Sequence, residues 1–287
     1  MITILMMACS ENELIKRPLD EIAVVSGDFD NLSEPLTRMD IAHTEYDGFI
    51  SRAVYDEEVD GELNSYKVEA LLGGVDESGY PSMLQFDAVF LNSGVRGLGE
   101  YVYNGVEHDD AFLIDEQVNL NVLEYLDRGR ILFLSDWSGD LIEATWPERI
   151  EFVNEDECNA PPCWDLAQAG SSETVIANVS DDELMSVLGV DSIQLLFDFS
   201  YWTAMSSVSG DVDVYLRGDI SYRKADGSGY VDLDNVPLLV GFDVGSGRVL
   251  FSSFHWRAQN PIVVDLMLQH LVEGLKPGSG YSGDVVP

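Results

Sequence analysis

Four apolar runs in this chain end alike. Residues 22–25 run into Ser26, Gly27, Asp28, Phe29 and Asp30; 88–91 into Asn92, Ser93 and Gly94; 131–134 into Ser135, Asp136, Trp137 and Ser138; and 249–251 into Ser252, Ser253, Phe254, His255 and Trp256. Continuous apolar runs of this length, separated by helical patterns, suit strands buried on both faces, as in a parallel sheet covered by helices. In such sheets the ligand crevice lies beyond the carboxyl ends of the strands, so these polar residues are expected to meet at one edge. The expected fold class is therefore α/β, with three layers around a mostly parallel central sheet.

The rest of the chain fits this frame. A short helix is expected over 31–39 and a second strand over 41–46. A helix begins near Val68, and a long loop rich in Gly, Tyr and acid fills 94–115. Asp115 is expected to cap a helix with Val118, Val122, Leu123 and Leu126 on its buried face, stopped by Gly129 in the left-handed conformation. A strand over 174–177 follows, and the stretch from Ser180 to Glu183 reads as a capping box. From Ile193 the apolar period becomes two, with short strands at 193–197, 212–216, 220–223 and 237–242, which predicts an antiparallel extension of the sheet. Asn260 and Pro261 open a last helix. The domain reading is a leader and tether over 1–20, one α/β domain over 21–276 with an insertion at 193–236, and a disordered tail over 277–287.

Acidic residues number 52 against 15 basic ones, for a formal charge of −37. Nucleic acid and anionic membrane surfaces are poor partners for such a surface. A solvated acidic shell of this kind suits a saline habitat or plain solubility. At the N-terminus an apolar stretch ending in Ala8 and Cys9 resembles the lipobox of a bacterial lipoprotein, whose cysteine is lipidated after cleavage; the other reading is an apolar strand with an incidental cysteine. Export to the cell envelope with a lipid anchor on Cys9 is the expectation, the membrane being met through that anchor only. Cys158 and Cys163 flank a loop bent by two prolines, which suits a local disulfide in an oxidising compartment. A metal pair there lacks a second Cys or His pair with ligand spacing.

Two segments carry a family resemblance: the helix, strand and turn from Asn119 to Ile142, and the hairpin from Pro237 to His255. They resemble the class I glutamine-amidotransferase-like fold, a flavodoxin-like sandwich, in the version shared with ThuA-like proteins. The resemblance implies that the closing strand delivers His255 to the site. It also implies a cysteine on the sharp turn after the central strand and a glutamate two residues beyond the histidine. This chain has Ser135, Asp136, Trp137 and Ser138 at the turn and Arg257 after the histidine. Without a thiolate and a carboxylate-oriented base, amide transfer from glutamine has no chemical basis.

The candidate ligand-binding residues are Asp28, Asp30, Asn92, Ser93, Asp136, Trp137, His255 and Arg257. Ser138 and Gly139 offer backbone N–H groups to an anion, or the turn merely caps the following helix. Asp28, Asp30, Asp136 and His255 have the oxygen-rich chemistry of a divalent cation site, but no spacing signature marks one, so no metal and no cofactor are expected. Asp136 or Ser138 with His255 are the candidate catalytic groups of a hydrolase on a carbohydrate or ester, set against a hydrogen-bonding, structural histidine. Arg257 either pairs with local carboxylates or grips an anionic ligand. The expected function is non-catalytic binding of a small molecule or an envelope protein. A structural envelope component with a filled crevice is the third reading. Because Asp136 and His255 are placed on loops beyond the core, replacing either is expected to leave stability nearly unchanged.

Overall fold

The computed structural model of the chain describes Leu19 and residues 21–49, 67–95, 100–103, 106–109, 116–154, 165–272 and 274–277. Cys9, Cys158 and Cys163, with the lipid anchor and the disulfide expected of them, lie outside the described residues, as does nearly all of both terminal segments.

The apolar runs form the expected strands. β1 (Ile22–Ser26), β3 (Ala88–Leu91), β6 (Ile131–Ser135) and β13 (Gly247–Ser252) lie side by side, with β2 (Thr44–Asp47) outside β1, and all five are parallel. Beyond β13 the sheet continues antiparallel through β12 (Tyr230–Val244), β11 (Asp213–Arg223), β8 (Glu173–Val179) and β9 (Ser192–Phe197). The order across the nine strands is β2-β1-β3-β6-β13-β12-β11-β8-β9.

Side chains that alternate along the parallel strands feed two cores, one on each face. Val24, Phe90, Phe133 and Leu250 pack with α1 (Ser33–Arg38) and α6 (Pro261–Leu271). On the other face Val25, Leu91, Leu134 and Phe251 pack with α2 (Val68–Leu72), α3 (Glu116–Asp127) and α4 (Asp140–Thr145). Helix, sheet and helix are the three layers of a flavodoxin-like sandwich.

Several local expectations are corrected. The antiparallel part begins with β8 at Glu173, ahead of the change in period at 193. The stretches 212–216 and 220–223 are one strand, β11, whose register shifts restart the alternation and make it look like two. The segment 94–115 holds a two-stranded hairpin of β4 (Glu100–Tyr103) and β5 (Val106–Asp109) rather than an unbroken loop. The second strand starts at Thr44, because Ile41 is still tied back to Leu36 by its amide. Leu123 is partly exposed, and the buried stripe of α3 runs through Val118, Asn121, Val122, Tyr125 and Leu126. Asp181, not Ser180, caps α5 (Asp182–Leu188), accepting from the amide of Leu184 at 2.6 Å. A separate pair joins β7 (Ile150–Phe152) to β10 (Met205–Val208). Among the described residues no helix is long and apolar enough to cross a membrane.

Candidate functional site

The carboxyl ends of β1, β3, β6 and β13 meet, as parallel strands require. The ends of β1 and β3 touch through their backbones, with the amides of Asp28 and Phe29 donating to the carbonyls of Gly94 and Ser93 at 3.2 Å. Gly27 permits this approach, since a Cβ there would lie 2.0 Å from the Ser93 carbonyl oxygen, and Gly94 turns with a φ of +78°. Asn92 fastens the same edge: its side-chain amide donates to the Val25 carbonyl at 2.8 Å and its oxygen accepts from the Leu32 amide at 3.1 Å.

Asp136 stands on the turn after β6 with a φ of +48°, a left-handed backbone that costs a non-glycine residue about 1–2 kcal/mol. The turn points its carboxylate inward, where one oxygen accepts from the Thr203 amide at 2.5 Å. The other meets the Ser93 hydroxyl at 2.9 Å and His255 Nε2 at 2.9 Å. On its far side His255 Nδ1 meets Asp198 at 2.8 Å. The result is a linear Asp136–His255–Asp198 chain with the histidine 4% exposed and Asp136 1% exposed. Burial on its own would depress the His255 imidazolium. The hydrogen bond and charge of Asp136, the charge of Asp30 and the bond to Asp198 outweigh it and push the pKa up from 6.5 to about 9. At neutral pH the ring is therefore a cation clasped between two carboxylates.

Asp30 forms the second node. Its carboxylate is completely buried and accepts from the amides of Asn31, Trp256 and Arg257 and from the Ser135 hydroxyl, at 2.9–3.1 Å. Burial raises its pKa, while the charge of His255 and these backbone donors work the other way. Thus Asp30 ties β1 to the segment after β13 instead of sharing an open cation site. The two serines are likewise committed. Ser135 accepts from the Ser93 amide at 3.0 Å. Ser138 receives the Ser135 amide at 2.8 Å and donates toward the carbonyls of Ser135 and Leu91. Both ring nitrogens of His255 face carboxylates and neither serine, so a serine–histidine pair is not formed.

Asp28 and Trp137 are half-buried and Arg257 is exposed, whereas Asp30, Asn92, Ser93, Asp136, Ser138 and His255 are buried. That burial corrects the expectation that Asp136 and His255 can be removed at little cost. Each belongs to a buried polar network, where an orphaned partner costs about 1–3 kcal/mol or more. Arg257 meets no carboxylate at ion-pair distance among the described residues; its guanidinium lies 6.0 Å from the centre of the Phe199 ring. Over the network sits an aromatic cover. Phe29 meets Trp137 edge-on at 4.7 Å, Phe199 lies 6.3 Å from Phe29 and 5.8 Å from His255, and the Trp137 indole donates to the Tyr201 carbonyl at 2.7 Å. Trp256 lies deeper, against Phe133 and Phe254, its indole bound to Ser252.

Asp198, Phe199 and Thr203 were not among the sequence candidates. Asp198 carries the signal that marked the others, a polar residue ending the apolar run 193–197. Two antiparallel steps restore a strand's direction. β11 and β9 therefore run the same way as the parallel strands, and Asp198 and Arg223 end on the same edge.

No protein-family model and no curated sequence matches the chain. Among solved structures it is similar to a cytoplasmic protein from Salmonella typhimurium, with 13% identity, a TM-score of 0.48, and 88% of this chain and 98% of that one covered. A protein described as ThuA-like from Parabacteroides merdae gives 13% identity and a TM-score of 0.41 over 83% of this chain and 79% of that one. A glutamine amidotransferase from Thermotoga maritima gives 9% and 0.41 over 88% and 82%. At these values the likeness is one of chain path, and it carries no activity across.

Proposed function

We propose that this is an exported, lipid-anchored protein of a bacterial cell envelope whose amidotransferase-like domain is non-catalytic and binds a small molecule or an envelope protein at the carboxyl edge of its sheet. One observation supports the non-catalytic part above all. The residue on the sharp turn after β6 is a carboxylate, and both its oxygens are engaged by Thr203, Ser93 and His255. A carboxylate so held has neither the thiolate chemistry of amide transfer nor a free oxygen for attack. The binding part is supported by the half-exposed rings of Phe199 and Tyr201 and by the exposed guanidinium of Arg257, which lies beside Phe199 and meets no carboxylate at ion-pair distance among the described residues.

The structural reading, an envelope component with a filled crevice, is favoured by the burial of six of the nine candidate residues, namely Asp30, Asn92, Ser93, Asp136, Ser138 and His255. Photocrosslinking separates the two. A photoreactive residue at position 199 in the full chain, in its native membrane fraction, should yield a discrete adduct that the same residue at position 176, on the outer face of β8, does not. No adduct at 199 leaves the structural reading. Purified protein should release no ammonia from glutamine and turn over no p-nitrophenyl esters or glycosides. Turnover lost in His255→Ala would instead make the chain a hydrolase. Intact-mass analysis of the membrane fraction tests the anchor, and an unmodified Met1 terminus on a soluble protein would end that part.

A further inference from the structure

The aromatic cover is part of one short segment. Residues 198–201 leave β9 after Phe197 and return at Trp202, and the rings of those two flanking residues stack at 4.1 Å and are both buried. That stack pins the two ends of the segment together. Its outer side is tied to the neighbouring loop by the Tyr201 amide, which donates to the Gly170 carbonyl at 2.7 Å, and by the Ser200 hydroxyl, which accepts from the Ser172 amide at 3.3 Å. Its inner side reaches the elbow through three contacts of a different kind: Asp198 on His255, the Phe199 ring against His255 and Phe29, and the Tyr201 carbonyl on the Trp137 indole.

The segment forms a distinct unit between the stacked rings of Phe197 and Trp202. Phe199 and Tyr201 are 46% and 52% exposed, and Tyr201 holds a left-handed backbone with φ of +69°. Asp198 keeps a quarter of its side chain in solvent, so water reaches the outer end of the histidine bond. Around His255 the charged groups are Asp136 on the turn after β6, Asp198 on the segment itself, Asp30 after β1 and Arg257 on its own turn. Of these only Asp198 travels with the segment. Swinging 198–201 outward breaks the Asp198–His255 ion pair, the Trp137 indole bond and the ring contacts of Phe199, together with the ties of Asp198, Ser200 and Tyr201 to Ser172, Gly170 and Arg223, and leaves the sheet and the Phe197–Trp202 stack in place.

We propose that residues 198–201 are a gate over the Asp136 elbow, latched by His255, and that the carboxyl-edge site is open to a ligand only when the Asp198–His255 bond is broken. This rests on the binding reading above and gives it a mechanism. Ser93, Asp136 and His255 are buried when the gate is closed, and lifting it frees the Nδ1 side of His255 and the Trp137 indole while the Thr203 amide stays on Asp136.

Hydrogen exchange with peptide-level mass spectrometry on the full chain tests the gate. Asp198→Asn keeps the shape of the side chain and removes its charge. Trp137→Phe keeps the ring and removes the indole donor. Asp198→Asn should raise exchange in the peptide spanning 198–203 by about tenfold or more, as loss of a charge-assisted hydrogen bond implies, and Trp137→Phe should raise it by a few-fold, as loss of an exposed neutral one implies. Peptides from β6 and β13 should exchange as in the unmodified protein. No change in 198–203 for both variants, or a change seen only together with β6 and β13, overturns the gate. Because no ligand enters this measurement, the two ideas fail separately. A static segment removes the gate alone, and an opening segment with no crosslink at position 199 removes the binding reading alone.

Discussion

Raising the pH from 7 to 10 should cost this protein most of the stability that His255 contributes. The folded imidazolium has a pKa of about 9 against an ordinary value of 6.5. Each pKa unit corresponds to about 1.36 kcal/mol, so the full linkage is about 3 kcal/mol, of which about 2.5 kcal/mol remains at pH 7 and almost none at pH 10. The sign follows from the direction of the shift. A folded state that holds the proton more tightly than the unfolded chain is stabilised fully below about pH 6.5 and loses that stabilisation as pH rises through about 9. For a chain of 287 residues, unfolding entropy near 0.6 kcal/mol/K makes this a fall in Tm of about 4 °C. Urea unfolding followed by tryptophan fluorescence at half-unit pH steps reads it. His255→Gln serves as the reference, because other groups titrate over the same range and only the difference between the two proteins belongs to the histidine. The difference should shrink by about 2 kcal/mol or more between pH 7 and 10. Parallel curves would mean that His255 is neutral when folded, and the clasped-cation account of the site would be wrong.

Three further outcomes are expected. Gln259 is buried and binds both backbone groups of Leu196 on the outermost strand β9, at 2.9 Å each, and the His255 carbonyl at 2.7 Å. Gln259→Leu should therefore lower stability by about 2–3 kcal/mol and promote association through the bared strand edge, read by urea unfolding and light scattering; a neutral variant would show that the clasp is idle. Thermal midpoints should rise with sodium chloride as the Debye length falls from about 30 Å at 0.01 M to about 3 Å at 1 M, given a formal charge of −37; a flat response would mean the carboxylates are already compensated. Thiol counting under denaturing, non-reducing conditions on protein from an oxidising compartment should find at most Cys9 free, and three free thiols would reject the Cys158–Cys163 bridge.

The parallel half of the fold was legible because four of its five strands, β1, β3, β6 and β13, are buried on both faces, so Ile22, Val89, Phe133 and Leu250 stand in unbroken apolar runs that period alone identifies. That the residues after β1, β3, β6 and β13 meet followed from direction, since parallel strands must end on one edge, and of the two acids after β1 it is Asp30 that bonds to the segment around His255. What stayed hidden was whether that edge is open. Burial of a polar residue after a strand depends on what crosses above it, and here the cover comes from 198–203, a segment whose rings alone give no hint that they lie on His255. The β11 register shifts were also invisible, because a bulge resets the alternation without changing residue type.

The missed partner of His255 was within reach of the same reasoning, and the reason it was missed bears on mechanism. Reading 193–223 only as an antiparallel extension separates it from the parallel half, yet β11 and β9 point the same way as β1 once the two reversals between them are counted. The antiparallel strands are thus what carry Asp198 and Arg223 to the edge that the parallel strands build. One acid of the His255 clasp comes from each half: Asp136 from the end of β6 and Asp198 from the end of β9. A histidine held this way joins the two parts of the sheet through one side chain, so the stability lost when it gives up its proton is lost from the contact between them.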